Sequence, residues 1–211
     1  MPAHRDGLNA IRTDVESGTL VSRSLPVPER SIRAVLAGRS YPRVAWAPPG
    51  ASVVAGIDAA VALTAAGANR FDDIRQAART VFADRDEPRT VPHAARPRLF
   101  GGFSFHVDHD GMPPWEGFPA AAFVLPRIQY TRTERGCFLT ANAYGTDIDP
   151  DDVIDACEAA AGSLERTREP PPAEPPGVTA ASRVPSRETW RRQVETSLRH
   201  IADGSLRKVV L

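Results

Sequence analysis

Glu169 to Gly177, reading EPPPAEPPG, constrains the 211-residue chain more than any other stretch, because proline fills most of it. Proline lacks the backbone donor and fixes φ, so these residues can enter neither helix nor sheet and read as an exposed linker. The chain is therefore expected to divide into a β-rich platform over residues 1–168, a linker over 169–185 and a separate piece from 186 to 211.

Within the platform, short β-like runs alternate with turn residues. Val21 and Ser22 open a first strand, and Ser31 to Leu36 is a short amphipathic segment. Arg43–Trp46 and Ala51–Ala55 flank Pro48, Pro49 and Gly50, which is the chemistry of a hairpin turn. Asp72 and Asp73 stand where the helix dipole favours anions, ahead of Ile74, Ala77, Ala78, Val81 and Phe82 at helical spacing. Arg98–Phe105 reads as a strand whose Gly101 and Gly102 imply close approach by another segment. Ala121–Leu125, Ile128–Arg132 and Cys137–Ala143 are three further strands in a meander, the last two joined at hairpin length. Asp149 caps a helix with Pro150 at its first position, and Val153, Ile154, Cys157, Ala160, Ala161 and Leu164 form its apolar face. Antiparallel strands with packed helices imply an α+β layered sandwich, with an α/β arrangement as the alternative.

Composition narrows the function classes. The formal net charge is zero and no run of like charge stands out, so nucleic acid and anionic membrane surfaces are not expected partners. No apolar run is long enough to span a bilayer and no hydrophobic leader is visible, which together with two isolated cysteines, Cys137 and Cys157, gives the expectation of a cytoplasmic protein. His106, Asp108, His109 and Asp110 have metal-binding chemistry, but they precede Gly111, Pro113 and Pro114 and read as a solvated hairpin loop.

The C-terminal piece, WRRQVETSLRHIADGSLRKVVL, is the most informative. Trp190, Val194, Leu198 and Ile201 form one apolar stripe at helical period, by which the helix is expected to dock. Gly204 can take the left-handed conformation that ends a helix, and Leu206, Val209, Val210 and Leu211 then read as a buried strand. Lys208 sits inside that run and is the only lysine of the chain. Arginine cannot act as a base near neutral pH, whereas a desolvated lysine can. A lone lysine at a buried position therefore hints at proton transfer, the alternative being an ion-paired or snorkelling cation.

RVAWAPPG with VVAGIDAA, RFDDIRQAARTVF, RLFGGFSF, PWEGFPAAAFVLPRIQY and the terminal WRRQVETSLRHIADGSLRKVVL occur in an order that resembles the chorismate-utilising enzymes. The resemblance is to isochorismate synthases of the menaquinone type and runs from about residue 43 to Leu211. It implies that residues 186–211 begin a catalytic core and that Lys208 is the base activating water, with chorismate as substrate. The related anthranilate and aminodeoxychorismate synthases generally carry glutamine at the matching position, so by this resemblance lysine points toward water as nucleophile. The resemblance also implies Mg²⁺, held by glutamates expected beyond Leu211, together with a general acid from the same region. Isochorismate synthase is accordingly the expected function, present as an N-terminal portion that is inactive by itself. A salicylate synthase, another chorismate enzyme and a non-catalytic fragment are the alternatives. Oligomeric state is not legible.

Overall fold

The computed structural model describes residues 15–88, 90–106, 115, 117–171, 177, 182 and 184–210. The chain forms two compact units, Met1–Pro170 and Pro171–Leu211. The first is a mixed sheet of seven strands with helices on both faces, an α+β fold.

Strands β1 (Thr19–Val27), β2 (Arg43–Trp46), β3 (Val53–Ala65), β4 (Arg85–Asp86), β5 (Phe100–Phe103), β6 (Ala121–Thr133) and β7 (Gly136–Gly145) build it. Their order is β2-β3-β6-β7-β1-β4, with β5 also paired to β6. Every pairing is antiparallel except that of β1 with the short β4. The hairpin read across Pro48–Gly50 is present, with Ala45 opposite Ala55. So is the one closing β6 onto β7, with Thr133 opposite Gly136.

The runs 121–125 and 128–132 are not two strands but one, β6. Pro126, between the two runs, has no N–H to give the ladder. The partner strand absorbs the defect. β3 carries a register shift between Ala59 and Val61 opposite Pro126, and Asp58 adopts a positive φ of 58° beside it. Arg127 Nε then pairs with Asp58 Oδ2 at 3.1 Å across the irregularity. β5 is shorter than the run 98–105, and only one of its glycines is crowded. A Cβ on Gly101 would lie 2.0 Å from the Ala122 carbonyl oxygen, whereas Gly102 faces open space.

Successive residues of a strand point to opposite faces, and neighbours Leu20 and Val21 belong to different cores. On one face α1 (Ile32–Leu36) and α3 (Pro150–Arg166) cover Val21, Tyr130, Cys137, Leu139 and Ala141. Val153, Cys157 and Leu164 of α3 are buried there, while Ile154, expected on the same face, is exposed. On the other face α2 (Arg70–Val81) covers Leu20, Leu63 and Leu125 with Ile74 and Val81. The cap read from sequence forms, with Asp149 Oδ1 accepting the Asp151 amide at 2.9 Å, and the anions Asp72 and Asp73 occupy the first turn of α2.

The second unit contains one helix among its described residues, α4 (Arg187–Ala202). Ser186 caps it by accepting the Thr189 amide at 3.2 Å.

Candidate active site

Lys208 is reached through α4 and the turn that ends it. The helix stops because the chain goes left-handed at Gly204, φ 80°. The freed carbonyls of the last turn are taken by backbone donors: Asp203 N–H to Arg199 O at 2.9 Å, Gly204 N–H to Ile201 O at 3.2 Å and Leu206 N–H to His200 O at 2.9 Å. Asp203 Oδ1 accepts the Ser205 amide at 2.9 Å, and bonding to Ser205 holds this carboxyl below the usual carboxylate range.

Two expectations for this stretch need correction. Residues 206–210 form no strand, and Lys208 is exposed rather than buried. A strand exists only where a neighbouring strand takes its N–H and C=O groups, and none of the described residues pairs with this run. Leu211 lies outside the described residues. The stripe on α4 is present at the spacing expected, yet no residue of the helix is buried, and Trp190, Leu198 and Ile201 are exposed. The case for Lys208 as a base therefore rests on its chemistry and its sequence setting.

Sequence reasoning missed a buried polar seam in the first unit. Ser22, Gln129, Thr131, Thr140 and Asn142 are buried on the face of the sheet that also carries Leu20. Ser22 Oγ donates to Asn142 Oδ1 at 2.8 Å, and Asn142 Nδ2 donates to the Pro126 carbonyl at 2.8 Å. Ser24 and Thr140 share a bond of 2.8 Å. Thr140 Oγ1 and Gln129 Nε2 both donate to the carbonyl of Ala95, in the short 3₁₀ turn His93–Ala95 that covers the seam. Gln129 Oε1 is left without a partner among the described residues. The signal was available as polar residues at period two: Ser22 and Ser24, Gln129 and Thr131, Thr140 and Asn142. Arg70 was also missed. It is 4% exposed and binds the carbonyls of Gly67 and Ser104 at 3.0 and 3.2 Å, tying the start of α2 to the end of β5.

Burial pushes the Cys157 thiol up, and the Tyr130 phenol, between the Arg30 amide and carbonyl, is pushed up to about 12, mainly by burial. Among the described residues no three His, Cys, Asp or Glu side chains come together as a metal cluster. Residues 107–110, with Asp108, His109 and Asp110, lie outside the described residues.

A family model described as chorismate binding enzyme matches residues 6–211, nearly the whole chain and across Lys208. The chain belongs to the chorismate-binding enzyme family. A curated family relative, the isochorismate synthase MenF of Bacillus subtilis (strain 168), is 28% identical over 142 residues, which is 67% of this chain and 30% of the relative. A solved structure, that of the menaquinone-specific isochorismate synthase MenF from Escherichia coli, aligns over 92% of this chain and 41% of that one, with 18% identity and a TM-score of 0.46. The aligned chain thus spans well under half the length of either relative. Among the described residues, no helix is long and apolar enough to cross a membrane.

Proposed function

We propose that this chorismate-binding enzyme chain belongs to an isochorismate synthase, with chorismate as substrate and Lys208 as the base that activates water. The observation that carries the reading is the setting of Lys208: the one lysine of the chain, four residues past the glycine that ends α4, inside the segment the family match covers. Membership of a chorismate-binding family supports the substrate, and the B. subtilis relative supports the reaction type.

The chemistry asks little beyond a base and an acid. A neutral amine removes a proton from water as the oxygen bonds to C2 of the ring, the C1–C2 and C5–C6 double bonds shift to C1–C6 and C4–C5, and the C4 hydroxyl leaves as water once an acid has protonated it. One water enters and one departs, so the product is an isomer. Enclosure is what makes a lysine neutral near pH 7, so Lys208 must be desolvated in the working enzyme. Mg²⁺ is part of the proposal as the cofactor implied by the family resemblance, and no step is derived through it.

The test is incubation of the intact gene product with chorismate and Mg²⁺ in ¹⁸O-labelled water, followed by mass spectrometry. Isochorismate carrying one ¹⁸O is expected. Salicylate with pyruvate would assign a different member of the family, and an aminated product or no conversion would overturn the reading.

A further inference from the structure

We propose that Gly204 is a positioning residue for Lys208, its left-handed backbone setting the direction in which the chain leaves α4 and so where the amine is delivered. The inference rests on the reading of Lys208 as the base. Asp203 through Lys208 are all exposed in this chain, and the bonds that order the turn are its own. What directs it is the cap itself, the three amide-to-carbonyl bonds onto Arg199, Ile201 and His200 and the bond from the Ser205 amide to Asp203 Oδ1.

That cap needs a positive φ at residue 204, observed at 80°. A Cβ placed on Gly204 would meet nothing within 4 Å, so a substitution acts through the backbone angle alone and not through a clash. An L-residue with a Cβ resists this conformation, and asparagine resists it least. When the angle relaxes, the chain exits the helix along another line, and the four peptide steps to Lys208 are long enough to carry its amine out of hydrogen-bond reach of the attacking water. A misplacement of about 1 Å at a reacting group can cost about 10²-fold in rate.

The experiment is a double-mutant cycle in the intact gene product, reading kcat and KM for isochorismate formation from chorismate with Mg²⁺, and a thermal melt. Gly204→Ala is expected to lower kcat about tenfold with KM within about twofold, and Gly204→Asn to recover it to within about threefold of wild type. Gly204→Ala added to Lys208→Ala is expected to cost nothing further, because a residue that acts through the lysine has no effect once the lysine is gone. A second cycle with Asp203→Ala, which removes the Oδ1 bond to Ser205, is expected to couple to Lys208 in the same sense and serves if Gly204→Ala melts early. Wild-type kcat in Gly204→Ala, or equal fractional losses with and without Lys208, would overturn the inference while leaving the base intact. Wild-type turnover by Lys208→Ala, or none by the wild type, would instead sink the reading on which it rests.

Discussion

α3 and α4 are nearly the same object in sequence and opposite in the structure. They are 17 and 16 residues long, each opens on a side chain that caps its first turn, and each carries an apolar stripe. α3 buries Val153, Cys157 and Leu164 against β1 and β7, whereas no residue of α4 is fully buried and Val194 of its stripe is half-buried. Caps and periodicity are local properties, fixed within a few residues of chain. Burial is a property of two surfaces, and α3 has a sheet face of matching apolar residues at Leu139 and Ala141. The lesson is that a stripe specifies a face to be covered without naming its cover.

The comparison is sharpest where α3 is cut. Leu164→Ala should destabilise residues 1–211 by about 2–5 kcal/mol in urea unfolding, because a buried leucine leaves a cavity as well as losing transfer free energy. A cost near zero would mean that Leu164 is packed no better than the exposed residues of α4. Asn142→Ala tests whether the polar seam is as structural as the apolar core. It strips Ser22 of its acceptor and the Pro126 carbonyl of a donor, and should cost about 1–3 kcal/mol. No loss of stability would show that water replaces both bonds.

Tyr130→Phe removes a hydroxyl that donates to the Arg30 carbonyl and accepts the Arg30 amide, for an expected loss of about 1–2 kcal/mol. It also carries a pH signature. The folded pKa of about 12 lies above the ordinary tyrosine value of 10.0. The phenol's contribution is therefore complete below pH 10 and is lost as the pH rises from there through about 12. Wild-type stability should fall across that alkaline window more steeply than that of the phenylalanine variant; parallel curves would contradict the assignment. The smallest effect belongs to α4. Leu198, 59% exposed, should tolerate alanine within about 0.5 kcal/mol in residues 1–211, and a loss matching that of Leu164→Ala would erase the contrast between the helices.

Most of the platform was legible because its signals are local. The hairpin turn at Pro48–Gly50, the Asp149 cap and the stripe of α2 each declare themselves within a dozen residues, and each is found. β6 was misread because its proline is tolerated only through a bulge on another strand, β3, some sixty residues earlier in the chain. The pairing of β4 with β1 escaped because a two-residue strand has no periodicity to detect. At the candidate site, Gly204 was legible as a helix stop and the chemistry of Lys208 as that of a base. The environment of Lys208 was not, since apolar neighbours in sequence do not make a strand without a ladder partner.

The central claim is that Lys208 serves as a base and not as a fixed cation, and Lys208→Arg in the intact gene product separates the two. Guanidinium keeps the charge and much of the reach of lysine but stays protonated, with a pKa above about 12. General-base assistance is typically worth about 10²- to 10⁴-fold, so kcat for isochorismate formation from chorismate with Mg²⁺ should fall by at least about 10²-fold while the thermal melt is unchanged. An arginine variant that folds normally and keeps more than about a tenth of wild-type kcat would contradict the account.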